Sequence, residues 1–434
     1  MFCQAWIYYK WLSFLLWMYR YYPTVCTNPV YTKQCRQKLE SLGILGIKLG
    51  QYLCNRPDMI TAIMKKEFSV LLSNNKIHPL SHTKALLRDA NMEQVVVLGE
   101  VIGSGSLAQV YRCSIGDDHN LVLKINHPEV SQLPVEIDVM KKLIKILGCM
   151  SRFTFIKNMD WDEFFSALES QIDMTNEIAN LQTFRTMYKD KLSEITIPRY
   201  VSGNKNFIIM TYCEGKTLNH FEKDDPIYQK AHNLFVCSLI HTGFVYRFMH
   251  GDIHEGNILV KDNGDISIID FGVCMRLSEE QFLGILSISK FEIDPSYENC
   301  ESLVEALIHE YTIDGKTLDI PVLAHELYDK YKTILTDRGV TPTITDFFDL
   351  VTTMAQRYRV LIRGNIMAYF MNVILLEGLS PFSEDQQMSS MIALAHMKRT
   401  PFFVEEGGAH LEEYYQTTLA KTFPYLIEKY NLKV

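Results

Sequence analysis

The sequence predicts an α+β fold with two parts, an antiparallel sheet plus helix followed by a mostly helical region, and a helical extension ahead of them. Three observations predict it. A glycine-rich turn, Gly103-Ser104-Gly105-Ser106, lies between two runs of strand character, and a third run, Leu121-Val122-Leu123-Lys124-Ile125, carries a single Lys. Further on, His250-Gly251-Asp252-Ile253-His254-Glu255-Gly256-Asn257 leads into two short apolar runs and then Asp270-Phe271-Gly272. After Gly272 apolar residues recur at helical spacing, in 281–290, 301–311, 322–335 and 364–379.

The chain has 434 residues, 47% hydrophobic and 22% charged, an ordinary globular composition with enough apolar material for a large core. Its net charge of -8 leaves no basic surplus to displace counterions, which argues against nucleic acid as a partner. Ten cysteines occur with no two closer than nine residues and no Cys-x-x-Cys, so reduced thiols in an intracellular protein are expected.

Taken in order, residues 1–22 are dense in Trp and Tyr and interrupted by Lys10 and Arg20. The longest uncharged run, Trp11 to Tyr19, is too short to span a bilayer, which takes about 20 residues. Two readings stay open: an interfacial helix lying on a membrane, and a helix docked on the protein body. Pro23 and Pro29 bound an expected linker over 23–37. Leu39, Leu42, Leu45, Leu49 and Leu53 then predict a helix ending near Pro57, with Lys48 and Gln51 on one face.

Strands are predicted at Val95–Ile102 and Ala108–Ile115, with the glycine turn between them. Such a turn lets backbone N–H groups approach phosphate oxygens without an intervening side chain. Gly103, Gly105 and Val110 fit the G-x-G-x-x-G-x-V pattern, with Ala108 in the third glycine position. Lys124 among aliphatics calls for a phosphate and a carboxylate partner. A helix is predicted over Val135–Met150 and another over Trp161–Tyr188, with Asp173, Glu177 and Asn180 on one face of the latter. The strand Phe207–Tyr212, followed by Cys213-Glu214-Gly215, fits a hinge whose backbone, around Thr211 and Cys213, meets an adenine edge.

Ile258–Lys261 and Ile266–Ile269 read as a hairpin around Asn263-Gly264. A loop, a hairpin and Asp-Phe-Gly in that order form the metal-holding half of a protein-kinase-like site. Asp252 would face the acceptor, and Asn257 and Asp270 would hold Mg²⁺. Position 251 is Gly where protein kinases carry Arg, and no Ala-Pro-Glu follows, so a conventional activation segment is not expected.

These motifs resemble the UbiB / aarF-domain (ADCK-type) family of atypical kinases over roughly residues 38–385. The residues carrying the resemblance are Lys48-Leu49-Gly50-Gln51 with Arg56-Pro57-Asp58, Ser106-Leu107-Ala108-Gln109-Val110, Lys124 and Glu177-Ile178-Ala179-Asn180. The 250–257 loop and Leu376-Glu377-Gly378 complete them. The resemblance implies a protein-kinase-like bilobal fold that binds ATP and Mg²⁺, with ATPase activity or lipid-directed phosphoryl transfer, membrane association, and support of ubiquinone or other prenyl-lipid pathways. It implies that Glu177 pairs with Lys124, and that Lys48 and Gln51 belong to a regulatory extension packing over the site where a kinase takes its peptide. The expected boundaries are 1–37 for the aromatic segment and linker, 38–94 for the extension, 95–215 for the N-lobe with its helical insertion, and 216–434 for the C-lobe. Two departures stand out: glycines occupy a loop that is usually alanine-rich, and Gln171 replaces one acidic residue of the extension's contacts. A nucleotide-binding scaffold that regulates a partner and a small-metabolite kinase are the alternative functions.

Overall fold

The computed structural model describes residues 2–367 apart from 55, 57–58, 74–76, 149–158, 189–193, 253, 294, 309–311, 313–315, 339–343 and 365–366. Pro57-Asp58, Leu376-Glu377-Gly378 and nearly all of the helix expected at 364–379 lie outside the described residues. The described chain divides into two compact units, residues 2–182 with 199–212, and residues 183–198 with 213 onward.

The first unit opens with helices α1 (Phe2–Thr27), α2 (Pro29–Ser41), α3 (Ile44–Cys54), α4 (Ala62–Phe68) and α5 (Leu80–Asp89). The linker expected at 23–37 is instead helical. Pro23 sits inside α1, and Asn28 caps α2 by accepting from the Val30 N–H, with Pro29 at the first helical position where no N–H is needed. The Thr32 hydroxyl donates to the Val25 carbonyl, and Cys35 packs on Met18, so burial binds the two helices together across the prolines. The leucine pattern of 39–53 is split at Gly43, whose φ of +92° ends one helix before the next begins.

A five-stranded antiparallel sheet follows, in the order β1 (Val96–Ser104), β2 (Ala108–Ile115), β3 (Asp118–Asn126), β6 (Phe207–Thr211), β5 (Tyr200–Asn204). One face buries Val96, Tyr111, Cys113, Leu121, Leu123, Ile125 and Phe207 against Leu87 of α5. The alternation along β3 puts these residues inward. Helices α6 (Leu133–Gly148), α7 (Trp161–Ile172) and α8 (Met174–Tyr188) come between β3 and β5. The single helix expected over 161–188 is two. Asp173 is extended, and its carboxylate accepts from the Thr175 N–H and hydroxyl, capping α8 rather than sharing a face with Glu177.

The second unit holds a four-stranded sheet, β4 (Ile195–Thr196), β10 (Ile266–Ile268), β9 (Ile258–Val260) and β7 (Lys216–Thr217) in that order, and a pair, β8 (Phe248–His250) with β11 (Cys274–Arg276). Gly264, at φ +82°, makes the expected Asn-Gly hairpin possible. The remaining described helices are α9 (Pro226–Tyr246), α10 (Glu279–Ile293), α11 (Tyr297–Leu307), α12 (Ile320–Arg338) and α13 (Ile344–Tyr358). Their core is built from Ile288, Phe291, Leu303, Val304, Leu327, Phe347, Val351 and neighbours. Sheet and helix in the first unit and helices in the second make a kinase-like bilobal α+β fold.

Candidate functional site

The first unit carries the expected phosphate-binding residues in one cross-strand row. Gly103 is paired with Val110, Val110 with Lys124, and Lys124 with Ile208. β1 runs through Gly103 and Ser104, so the turn between strands is tighter than the expected Gly103–Ser106, and the Gly105 N–H closes it on the Ala108 carbonyl at 2.8 Å. A Cβ at Gly103 would meet nothing within 4 Å and one at Gly105 only the Ala108 carbonyl at 3.8 Å, so the turn has room on its open side.

Lys124 Nζ donates to Glu177 Oε1 at 2.8 Å, with side chains 13% and 7% exposed. Local sequence aims both residues. Two positions after Lys124, the Asn126 amide donates to the Ile172 carbonyl at the end of α7, and Asp173 caps α8 just ahead of Glu177. Gly203 on β5 lets Ile178 approach, since a Cβ there would lie 3.0 Å from the Ile178 Cδ1 and 2.6 Å from the Phe207 carbonyl.

In the extension, Lys48 Nζ donates to Gln171 Oε1 at 2.9 Å, so the substituted residue still accepts the lysine, now through a neutral oxygen. Gln51 donates instead to the Leu71 carbonyl, within the extension. Arg56, buried, pairs with Glu163 of α7 at 3.3 Å, and Tyr52 donates to the same carboxylate at 3.2 Å. Lys48, Tyr52 and Arg56 thus dock the extension on α7 at three points. The Thr211 N–H and hydroxyl oxygen are both engaged with Arg199, and the Tyr212 N–H with the Asn120 carbonyl.

In the second unit the loop carrying Asp252 hangs between β8 and β9. His250, buried beside Phe184 and Phe271, accepts from the Asp252 N–H at its Nδ1 and donates from Nε2 to the Asp270 carbonyl, 2.7 Å away. Burial pushes its imidazole below the usual range, in keeping with the neutral ring these partners require. The Asn257 amide nitrogen donates to the Asp252 carbonyl at 2.9 Å, which leaves the amide oxygen as its ligand atom. Asp270 adopts a left-handed φ of +63° and accepts from the Gly272 N–H, while the Asp252 side chain is exposed. A Cβ at Gly251 would lie 2.9 Å from the Val273 Cγ1, which explains glycine there: the loop is pressed on the strand after Asp-Phe-Gly, and the Gly251 N–H donates to the Val273 carbonyl. Cys213, also in this unit, is buried, and burial raises its thiol above the usual range.

An amide oxygen and a carboxylate are hard oxygen donors of the kind Mg²⁺ takes, so Asn257 and Asp270 fit that ion. A lysine held by a carboxylate beside a glycine turn fits a triphosphate. Sequence reasoning assigned no role to His250, although its place two residues before Asp252 was a signal.

Residues 98–302 match the family model of the ABC1 atypical kinase-like domain. The chain is similar to a mitochondrial ABC1 family protein of Saccharomyces cerevisiae, at 23% identity over 81% of this chain and 65% of that one. It is similar to the chloroplastic protein Activity of bc1 complex kinase 3 of Arabidopsis thaliana, at 24% over 61% and 39%. It is also similar to AarF domain-containing protein kinase 1 of Xenopus laevis, at 28% over 56% and 49%. The chain therefore spans less than two thirds of the length of each of these relatives. Residues 98–302 are thus an ABC1 atypical kinase-like domain on a kinase-like fold, and with these ABC1 and AarF-domain relatives the match bears out the resemblance to the UbiB / aarF-domain family.

Proposed function

We propose that the chain binds ATP with Mg²⁺ and acts as an atypical kinase or ATPase in a membrane lipid or prenyl-quinone pathway. The observation that carries this reading is the Lys124–Glu177 ion pair, a nearly buried cation held by one carboxylate next to a glycine-rich turn. In this reading Glu177 aims Lys124 at phosphate oxygens, and Gly103, Ser104, Gly105, Ser106 and Val110 form the surface the phosphates lie on. Asn257 and Asp270 hold Mg²⁺, whose contribution when bound is to neutralise charge on the phosphates. Asp252, exposed on its loop, orients the acceptor hydroxyl or water and takes its proton. His250 keeps Asp252 and Asp270 in register through neutral hydrogen bonds. Cys213 lines the adenine edge through its backbone. Thr211, whose N–H is engaged, contributes sheet continuity there. Lys48 and Gln51 hold the extension as a regulatory element.

The lipid side of the reading is favoured by α1. One face docks on the protein through Ile7, Trp11, Phe14, Leu15 and Met18, and another exposes Trp6, Tyr9, Leu12, Leu16 and Tyr19 beside Arg20. Aromatics with a flanking cation suit the headgroup region of a bilayer, so both readings of this segment apply to different faces of one helix. No helix among the described residues is long and apolar enough to cross a membrane.

The test is ATP turnover with and without Mg²⁺, in the presence and absence of anionic vesicles. Mg²⁺-dependent turnover raised by vesicles is the expected result. ATP binding without turnover under any condition would favour a nucleotide-controlled scaffold, and turnover indifferent to vesicles that do not bind the protein would sink the lipid role.

A further inference from the structure

A chain of hydrogen bonds lies beneath the glycine-rich turn and involves two buried histidines that no step above uses. His127 follows β3, three residues beyond Lys124, and grips the turn twice: its N–H donates to the Leu107 carbonyl at 2.8 Å, and its Nε2 lies 3.0 Å from the Gly105 carbonyl. Its Nδ1 lies 2.7 Å from the Nδ1 of His78, whose Nε2 is 2.9 Å from the Thr83 hydroxyl, itself 3.1 Å from the Tyr111 hydroxyl. The His78 N–H donates to the buried Gln109 side chain of β2, which fixes the far ring to the same sheet.

The partners dictate where each proton sits. A carbonyl can only accept, so His127 carries its proton on Nε2 and, as a neutral ring, accepts at Nδ1. His78 must then donate from Nδ1 and accept at Nε2 from Thr83, which in turn accepts from Tyr111. Burial favours the neutral form of both rings, lowering His127 and bringing His78 down to about 4, with His82 adding to the effect and Glu129 opposing it. With the Gly105 N–H on the Ala108 carbonyl, the carbonyls of residues 105, 107 and 108 are all committed. An uncommitted carbonyl swinging toward an anion would repel it, so committing them preserves a turn that can offer N–H groups.

We propose that His127, with its tautomer set by His78, is a positioning residue that holds the carbonyls of the glycine-rich turn away from the phosphates of a bound nucleotide. This rests on the reading of residues 103–106 as the phosphate turn. It assigns a function to α5, which supplies Thr83, and to the residues just ahead of it, which supply His78: together they fix the proton order under the turn.

The experiment compares His127→Asn, whose amide is too short to reach Gly105, with His127→Gln, whose amide N–H falls near the original Nε2. Two readouts are taken on the full chain: hydrogen exchange at residues 105–108 without nucleotide, and affinity for Mg²⁺-ATP beside adenosine, which lacks phosphates. Loss of one buried hydrogen bond corresponds to about tenfold. His127→Asn is therefore expected to exchange about tenfold faster at the turn and to bind ATP about tenfold more weakly, with adenosine affinity unchanged and both effects restored in His127→Gln. Equal loss of ATP and adenosine affinity, or no change in either readout, would overturn the proposal. Wild-type protein that binds adenosine as tightly as ATP would remove the phosphate reading beneath it, and the exchange arm would then show separately whether His127 holds the turn. If His127→Asn does not fold, Thr83→Val at the far end of the relay is expected to show the same ATP-specific loss in smaller degree, and its absence counts against the proposal.

Discussion

Lys124 in the first unit meets Glu177 at 2.8 Å with both side chains nearly buried, whereas in the second unit neutral groups set the positions of Asp252, Asn257 and Asp270: an imidazole, an amide and backbone N–H groups. One half fixes a cation by giving it a counter-charge. The other places its loop residues through neutral donors and acceptors, with the Asp270 carboxylate accepting from the Gly272 N–H. The difference follows from what each half is read to hold, since a lysine that meets phosphate must be aimed, and carboxylates that meet Mg²⁺ must stay anionic.

The largest effect that could break this comparison is expected at Glu177. Glu177→Ala leaves Lys124 buried without its carboxylate, a loss of about 3–5 kcal/mol of stability, measured as a shift in denaturant midpoint. Asn257→Ala, which removes one neutral hydrogen bond, is expected to cost about 1 kcal/mol. Equal losses would contradict the contrast. Gly251→Ala comes next: its Cβ would press on Val273 at 2.9 Å, and overpacking of this kind costs about 1–3 kcal/mol, read from the thermal midpoint.

Acid sharpens the contrast further. His78, His127 and His250 all bind protons less readily in the folded protein than the ordinary 6.5. The unfolded chain then holds more protons, so the stability they confer is full above pH 6.5 and lost as pH falls toward the His78 value of about 4. Thermal midpoints at pH 7.5, 6 and 5 should fall in that order, and His78→Gln should flatten the first unit's share of the fall.

Much of this architecture was legible locally. The glycine turn between strands, Lys124 on β3, and the Asn263-Gly264 hairpin joining Asn257 to Asp270 all depend on residues close in sequence, where periodicity and turn chemistry speak directly. The misreadings came where tertiary contacts override local punctuation. Pro23 and Pro29 look like linker signals, but Thr32 and Cys35 bury against α1 and carry the helices through them. Asp173 shares a helical period with Glu177, yet its carboxylate finds nearer donors in the Thr175 N–H and hydroxyl. The His78–His127 contact joins residues 49 apart, and no pattern within either segment announces it.

The smallest effect concerns Gly103. It has no positive φ and open space where a Cβ would go, so Gly103→Ala should stabilise the protein by about 0.4–1 kcal/mol through the unfolded chain, seen as a modest rise in thermal midpoint. A loss instead would mean the turn needs conformations alanine disfavours.

The central claim, that the second unit's carboxylates serve a metal while the first unit serves phosphate, is tested most directly by titrating Mg²⁺ against ATP turnover in the wild type and in Asp270→Ala. The account predicts that Asp270→Ala loses turnover by about 10²-fold or more at every Mg²⁺ concentration while Mg²⁺-free ATP still binds. Turnover unchanged in Asp270→Ala would contradict it.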